Sequence, residues 1–294
     1  MKPFLKWVGG KTQILPQVLC EFPEQIHDYY EPFLGGGSVL LGVLSEKTIS
    51  GTIYASDVNE KTITLFRHIQ SNLDEFIIAL KKLVDTYNSI ALMKVVVEKR
   101  TKKTVTIEDS LKTQEHYYYY IRSLYNSMES PTIEASAMLL FLNKTCFRGV
   151  YREGPHGFNV PFGNNKNVGI YDTQHLHDVS QLLQRVVFTA CSFEDALLNV
   201  KVGDFVYLDP PYAPENDKSF VGYVEDGFSL EKHTQLFDIC KSLKGKFLMS
   251  NADVALVKNA FPSPYITKII SAKRSIHSKD PSKKTNEVLI TNFS

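Results

Sequence analysis

The sequence has 294 residues, 43% hydrophobic and 22% charged, which is the composition of a globular protein with one large or two modest domains. The formal net charge is only +1, so any affinity for nucleic acid must come from a local basic surface. The four cysteines have no CxxC spacing, which argues against a disulfide framework, and we predict no metal site. No stretch approaches the length of an apolar membrane span, so we expect a cytoplasmic protein without a membrane partner.

Near the start, the run Lys-Trp-Val-Gly-Gly-Lys-Thr at positions 6–12 places an indole and an ammonium group on either side of two glycines. The run ends like a phosphate-binding P-loop, but Leu5 stands where that motif has its first glycine. One alternative is a helix with Thr12 as its N-cap. We favour a loop that faces a ligand with Trp7, Gly9, Gly10 and Lys11.

Three glycines follow a predicted strand over Asp28–Leu34 and precede an apolar helix. Glu31 lies just before this turn, and a second predicted strand, Thr52–Ser56, ends at Asp57. Glycines let a backbone approach a ligand closely, and an acid about twenty residues further on can accept a hydrogen bond from a ribose hydroxyl. The pattern favours an adenosine-bearing cofactor, although any tight strand–helix turn also uses glycines.

From Glu60 to about Met138 the apolar positions follow helical spacing, which predicts a helical insertion in an α/β protein. The basic run Lys99–Lys103 within it is either a solvated loop or a contact for phosphates. The aromatic run His116–Tyr120 is typical of helix packing, with base stacking as the alternative.

Residues 145–163 are predicted to form a β-hairpin, because Gly154-Pro-His-Gly157 is a turn signal with strand-forming flanks. A two-stranded ribbon fits the major groove of DNA, where arginine reads guanine, and apolar residues can wedge into a base stack. The residues on the predicted arms that suit such contacts are Phe147, Arg148, Val150, Tyr151 and Arg152.

The α/β pattern then resumes, with predicted strands at Arg185–Ala190, Asp204–Asp209 and Lys246–Ser250 and a closing antiparallel pair at Tyr265–Ile270 and Glu287–Thr291. Ser229 is the predicted cap of a helix between them. The polar, aperiodic stretch Ala213–Gly227 is predicted to be a loop over the site.

The central predicted strand stops at Asp209-Pro-Pro-Tyr212, because proline has no N–H for a sheet ladder. Asp209 and the rigid carbonyl of Pro210 can each accept a hydrogen bond from an exocyclic amine, and Tyr212 offers a flat face for stacking. The turn therefore suits a planar amino-heterocycle such as adenine or cytosine, although a plain turn at a strand end has similar residues.

The order of these motifs resembles that of the Dam family of DNA N6-adenine methyltransferases, the D12 or alpha class. The resemblance rests on Lys-Trp-x-Gly-Gly-Lys at 6–11, Glu-Pro-Phe-x-Gly-Gly-Gly-Ser at 31–38, Asp57, Phe-Asn-Val-Pro-Phe-Gly at 158–163, Asp-Pro-Pro-Tyr-Ala-Pro at 209–214, Ser-Asn-x-Asp at 250–253 and Lys-Arg-Ser-Ile at 273–276. It implies a Rossmann-like methyltransferase fold, an α/β mixed sheet with an inserted helical DNA-recognition subdomain and hairpin. Residues 1–59 and 171–294 would then form the catalytic domain, and residues 60–170 the target-recognition domain.

The resemblance also implies S-adenosyl-L-methionine as the cofactor and double-stranded DNA as the partner. The implied catalytic residues are Asp209, Pro210, Pro211 and Tyr212. The implied cofactor contacts are Trp7, Gly9, Gly10, Lys11, Glu31, Phe33, Gly35, Gly37, Asp57, Phe193 and Asp209. The implied DNA contacts are Phe147, Arg148, Val150, Arg152 and Pro161. Arg148-Gly149 replaces the Asn-Gly common in the family, which leaves the target open between GATC and CATG.

In the implied reaction an adenine leaves the DNA stack, Tyr212 stacks on it, and a methyl group passes directly to N6. The same kind of socket would serve an amine methyltransferase acting on cytosine N4, RNA or a protein glutamine. A hypothesis from a different functional class is that the protein is a DNA-binding module without enzymatic activity. We expect a monomer or a weak dimer on DNA, inside the cell at the nucleoid or in a virus-infected host, and the sequence leaves a restriction–modification role open.

Overall fold

A computed structural model describes residues 1–92, 106–129, 131–164, 169–214, 228–273 and 284–294. The basic run Lys99–Lys103 lies outside these ranges, as do most of the loop predicted at Ala213–Gly227 and most of the Lys-Arg-Ser-Ile motif at 273–276. Within the described part of the chain, no helix combines the length and the apolar character that a membrane crossing needs.

The chain separates into two compact units. The first contains Met1–Lys2, Lys11–Glu60 and Arg185–Ser294, and the second contains Pro3–Gly10 and Lys61–Gln184. The first unit contains the large sheet, and the second is mostly helical. The short segment Pro3–Gly10 belongs to the helical second unit, although the residues that follow it in the chain belong to the first. The roles predicted for the two parts stay predictions.

Nine strands are found among the described residues. In chain order they are β1 (Tyr29–Glu31), β2 (Ile53–Asp57), β3 (Glu153–Gly154), β4 (Gly157–Phe158), β5 (Val186–Ala190), β6 (Phe205–Leu208), β7 (Lys246–Ala252), β8 (Ile266–Lys273) and β9 (Lys284–Thr291). Seven of them form the sheet of the first unit in the order β5-β2-β1-β6-β7-β9-β8. The strands from β5 to β7 are parallel, and β9 and β8 extend the sheet antiparallel.

The helices of the described residues are α1 (Leu15–Cys20), α2 (Ser38–Glu46), α3 (Glu60–Ser71), α4 (Leu73–Leu92), α5 (Ile107–Ser110), α6 (Gln114–Asn126), α7 (Ile133–Thr145), α8 (Thr173–Leu183), α9 (Phe193–Leu197), α10 (Leu230–Ser242) and α11 (Ala255–Ala260). Ser229 caps α10 by accepting a hydrogen bond from the Lys232 N–H, as predicted. The N-cap of α1 is Ile14, after a 3-10 turn over Lys11–Gln13, so the alternative of a Thr12 cap was wrong.

The predicted strands of the sheet are confirmed to within a few residues at each end. The short apolar run Phe-Val-Tyr-Leu forms β6, and all four side chains are buried, as expected of a central parallel strand. Its neighbours are β1 and β7, and the predicted closing antiparallel pair is present as β8 and β9.

The strand order reverses between β1 and β6. From β1 the chain passes to β2 and β5 on one side, and it later returns to β6 and β7 on the other. In open α/β sheets, ligands bind outside the carboxyl ends of the strands at such a reversal. The glycine turn follows β1 and the Asp209 turn follows β6, so both predicted motifs lie at this place.

At the amino-terminal ends of β1 and β6, His27, Asp28 and Asp204 lie close enough to one another to share a metal ion. The Asp28 carboxylate already accepts the Thr52 N–H at 2.7 Å, and Asp204 accepts the Lys201 N–H at 2.8 Å. These backbone bonds account for the arrangement of the two acids.

The second unit is a helical bundle in which α7 packs against α4 and α6. Tyr117 and Tyr118 on α6 are buried, which confirms helix packing for the aromatic run. The Tyr118 hydroxyl donates to the Val160 carbonyl at 2.7 Å, and Asn126 bonds to both backbone groups of Phe158. Helix α6 thus holds the second arm of the predicted hairpin.

The hairpin itself is shorter than predicted. Only β3 and β4 pair as strands, with one further bridge between Cys146 and Phe162. Residues Phe147–Gly149 form a 3-10 turn, in which Arg148 and Gly149 adopt left-handed φ angles of 57° and 65°. The prediction of strand arms from Phe147 onward was therefore wrong, because left-handed residues cannot continue an extended strand.

Candidate active site

The carboxylate of Asp209, directly after β6, forms an ion pair with Lys11. The Lys11 ammonium lies 2.7 Å from each carboxylate oxygen, and the Lys11 side chain is only 3% exposed. Burial raises the pKa of Asp209, the Lys11 charge acts against this, and the nearby Glu287 raises the pKa further. Lys11 is fixed at its own backbone, where its N–H donates to Ser38 Oγ at 3.0 Å.

The ring of Tyr212 has a charged group at its face and another at its rim. The Lys11 ammonium lies 4.9 Å from the ring centroid, and the Tyr212 hydroxyl donates to Glu287 Oε2 at 2.7 Å. Glu287 lies on β9 and is only 9% exposed. The orientation of this ring is therefore determined by two contacts that the tetrapeptide itself does not contain.

The backbone of the same turn is held by two other elements. His233, on α10, places Nε2 3.1 Å from the Pro211 carbonyl and Nδ1 3.0 Å from the Ser229 carbonyl. Asn251, on β7, accepts the Ala213 N–H at 3.0 Å through its side-chain oxygen. Burial lowers the pKa of His233, and its carbonyl partners act in the opposite direction.

Three residues that hold this turn, Glu287, His233 and Asn251, were not predicted as site residues. Asn251 lies in the Ser-Asn-x-Asp motif, and His233 lies one turn after the predicted cap Ser229, so both had a local signal. Glu287 had none, because its contact with Tyr212 spans 75 positions.

The glycine turn after β1 lies against the end of β2. Gly35 and Gly37 have φ angles of 47° and 69°, which glycine adopts without the clash that a Cβ would cause. The Gly35 N–H donates to Asp57 Oδ2 at 2.8 Å, and Oδ1 of the same carboxylate accepts the Asn59 N–H at 2.9 Å. Burial raises the pKa of Asp57, and these backbone donors oppose the shift.

Two further predicted residues meet beside this turn. The rings of Phe33 and Phe193 are stacked, with centroids 5.5 Å apart and an interplanar angle of 28°. Phe193 is buried, whereas Phe33 is half-buried and leaves part of its ring available.

Glu31, predicted as a cofactor contact, lies inside the protein with 2% of its surface exposed. Its carboxyl group accepts a 2.6 Å hydrogen bond from the Tyr29 hydroxyl. Burial raises the pKa of Glu31 to about 8; the bonds from Tyr29 and the Leu40 N–H lower it, and the Asp209 charge raises it.

Trp7, Gly9 and Gly10 belong to the second unit. Trp7 stacks on Tyr151 with ring centroids 5.3 Å apart, and Gly10 donates its N–H to the Trp7 carbonyl at 3.2 Å. The buried Asn143 bonds to both backbone groups of Lys6, at 2.9 and 2.8 Å, and also to the Gly149 carbonyl at 3.3 Å.

The predicted DNA contacts surround the 3-10 turn of the same unit. Phe147 is 47% exposed, its ring centroid lies 5.1 Å from the Arg148 guanidinium, and its N–H donates to the Pro161 carbonyl at 2.8 Å. Val150 is half-buried, and the exposed Arg152 bonds through Nε to Asn159 Oδ1 at 2.6 Å. The turn thus presents an aromatic ring beside a cation.

Residues 7–277 match the family described as D12 class N6 adenine-specific DNA methyltransferase. The chain belongs to this family. The result confirms the resemblance, the methyltransferase fold class and the expectation of an enzyme. Of the acceptors that the sequence left open, adenine N6 in DNA is the one this family acts on.

Relatives of this methyltransferase cover nearly its full length. It is 34% identical to the type II methyltransferase M.MjaIII of Methanocaldococcus jannaschii, over 100% of this chain and 99% of that protein. It is 29% identical to the type II methyltransferase M1.LlaDCHI of Lactococcus lactis, over 100% and 96% of the two chains. It is also 29% identical to a DNA adenine methylase of Haemophilus influenzae, over 96% and 90%.

Proposed function

We propose that this methyltransferase transfers a methyl group from S-adenosyl-L-methionine to N6 of an adenine extruded from a short duplex target, with GATC and CATG as the candidate sequences. The observation that carries the proposal is the turn after β6, where the half-buried Asp209 carboxylate is paired with the buried Lys11 ammonium beside the ring of Tyr212. The turn thus provides a hydrogen-bond acceptor and a face for stacking at the place where the strand order of an open sheet reverses.

The residues at the carboxyl ends of β1 and β2 fit an adenosine-bearing cofactor. Gly35 and Gly37 have left-handed φ angles and no Cβ, so a ligand can approach the backbone of the turn closely, and Asp57 supplies a carboxylate beside them. Phe33 supplies a half-buried ring on which a base can stack. When bound, S-adenosyl-L-methionine supplies a methyl group on a positively charged sulfur. The other proposed contacts within the first unit are Lys11, Glu31, Phe193 and Asp209. Trp7, Gly9 and Gly10 of the second unit remain contacts predicted from the sequence.

In the proposed reaction, the protein mainly holds the target amine in position. The Asp209 carboxylate and the Pro210 carbonyl each accept a hydrogen bond from one N–H of the N6 amine, which directs the nitrogen lone pair away from the ring. Tyr212 supports the base from one face. Positioning of this kind accounts for up to about 7–11 kcal/mol of a barrier. Breaking the methyl–sulfur bond would release S-adenosylhomocysteine and leave a positive charge on N6, which loses one of its protons to water. While N6 carries this charge its hydrogen bond to Asp209 strengthens, and such a bond contributes about 3 kcal/mol in comparable cases.

Residues 60–170 are the proposed target-recognition part. The exposed pair of Phe147 and Arg148 suits insertion beside a base step, and Arg152 suits bidentate contact with guanine. Val150 and Pro161 flank the turn. We propose double-stranded DNA as the substrate and a monomer or a weak dimer as the form that acts on it.

The deciding experiment replaces Asp209 by asparagine, which keeps the size of the side chain but weakens its acceptor strength. We expect methyl transfer to duplex DNA to fall at least about 100-fold, as when a preorganised charge-stabilising group is removed. Binding of DNA should survive, measured by fluorescence anisotropy. The matched control is Asp238→Asn on the exposed surface of α10. Near-normal transfer by Asp209→Asn would refute the assignment.

The substrate class and target need a separate measurement. Labelled methyl groups should appear in duplex DNA and not in RNA or protein, and digestion of the DNA should identify N6-methyladenine. Resistance to restriction enzymes that cut GATC or CATG then reports the target. Label in cytosine or in glutamine would contradict the proposal.

A further inference from the structure

We propose that Glu287 is a positioning residue, which holds the ring of Tyr212 in the orientation that receives the target base. The inference rests on the proposed function, because it assumes that Tyr212 supports the extruded adenine. It assigns a task to a residue of the antiparallel part of the sheet, which neither the motifs nor the glycine turn includes.

The geometry of the pair favours this role. Glu287 Oε2 lies 2.7 Å from the Tyr212 hydroxyl, which is the distance of a strong hydrogen bond from a hydroxyl to a carboxylate. Glu287 is 9% exposed, so water competes little for the carboxylate. Burial raises the pKa of Tyr212 well above its usual range, and the charges of Asp209 and Glu287 raise it further, so the hydroxyl keeps its proton and remains a donor.

The position of Glu287 is itself tightly fixed. On β9 it lies opposite Ala252 of β7 and opposite Ile270 of β8, so strands on both sides hold its backbone. A tyrosine side chain has two rotatable bonds, and a bond at the far end of the ring restricts both of them. A stacking platform has to be held to within about 10–20° for efficient transfer, and an anchored hydroxyl provides that restraint.

The hydrogen bond between Tyr212 and Glu287 differs from that of the Tyr207 hydroxyl in the same unit. The Tyr207 hydroxyl lies 2.9 Å from Ser250 Oγ, inside the sheet, and its ring is fully buried. Tyr212 is half-buried, and the Lys11 ammonium lies over its ring. Tyr207 is therefore a matched control for the loss of a buried hydroxyl bond without the loss of a stacking platform.

The test is a double-mutant cycle on kcat and KM for duplex DNA, with Glu287→Ala, Tyr212→Phe and the combined variant. We expect each single change to lower kcat about tenfold with little change in KM, because the ring remains but is no longer held. The combined variant should be no slower than the slower single variant, because both changes remove the same bond. Glu287→Gln, which retains an acceptor oxygen, should restore most of the rate.

Losses that multiply in the combined variant would overturn the inference, as would a Glu287→Gln enzyme as slow as Glu287→Ala. The control cycle of Glu287→Ala with Tyr207→Phe should give independent effects, and thermal unfolding of every variant verifies that it is folded. The two proposals fail differently. If Tyr212→Ala transfers methyl groups at the original rate, the proposed function of Tyr212 fails; if Tyr212→Ala is inactive while Glu287→Ala is normal, only the positioning role fails.

Discussion

Glu31 is a buried acid with a proton that the unfolded chain would not hold at neutral pH. The pKa of its carboxyl group is raised from 4.5 to about 8, mainly by burial. Between these values the native state binds a proton that the unfolded state has released, so the contribution of Glu31 to stability falls as pH rises. This contribution to stability is complete below pH 4.5 and is lost above about pH 8.

Replacing Glu31 by glutamine should remove this pH dependence, because the amide oxygen still accepts the Tyr29 hydroxyl bond but does not ionise. We expect the free energy of unfolding of the variant, relative to the parent, to increase from about pH 5 to about pH 8, by at most about 1.4 kcal/mol per pH unit. Denaturant titrations across that range measure it. The exposed Glu24→Gln is the control, and a constant difference for Glu31→Gln would contradict the expectation.

The ion pair of Lys11 and Asp209 predicts a shift in the pH dependence of catalysis. The charges that act on Asp209 include Lys11, which lowers its pKa, and Glu287, which raises it. Lys11→Met removes the opposing charge, so the pKa of Asp209 should rise and the acidic limb of kcat/KM should move to higher pH. Lys241→Met on the exposed side of α10 is the control. A limb that stays in place or moves to lower pH would show that Asp209 is not the group that titrates.

At the scale of elements, the segment between the 3-10 turn and β3, which carries Arg152, determines how the target is read under the proposal. Arg152→Ala should cost about 1–3 kcal/mol of binding and relax the target at one base pair, as expected for a guanine contact. Asn159→Ala is the matched variant, since it removes the 2.6 Å bond to Arg152 but keeps the guanidinium. Binding to a set of single-base-pair variants of the target measures the effect. An equal loss on every sequence would make Arg152 a phosphate contact.

Local signals were enough to predict most strands and capped helices. The apolar run of β6 and the Ser229 cap of α10 depend only on neighbouring residues, and both are where the sequence predicts them. The left-handed Arg148 could not be predicted, because a non-glycine residue adopts that conformation only where the surrounding fold holds it there. The bond between Tyr212 and Glu287 was hidden for another reason: it joins residues that only the completed sheet brings together.

At the scale of the whole molecule, the first unit is built from segments that are far apart in the chain. The strands β2 and β5 are neighbours in the sheet, yet the helical unit lies between them in sequence. Along the chain, nearly the whole second unit is therefore one long connection between two parallel strands. The register from Ile53 to Asp57 against Val186 to Ala190 is unbroken across this connection.

The segment Pro3–Gly10 is the exception to that arrangement, since it comes before the sheet in the chain but belongs to the helical unit. Asn143 binds the backbone of Lys6, Trp7 stacks on Tyr151, and a Cβ at Gly149 would lie 2.4 Å from the Lys6 side chain. If the second unit reads the target as proposed, a gene exchange that moves target preference between relatives has to transplant both stretches, residues 3–10 and the long insert. Swapping the long insert alone would combine residues 3–10 of one parent with Asn143 and Gly149 of the other. The segment and the insert should therefore be inherited together.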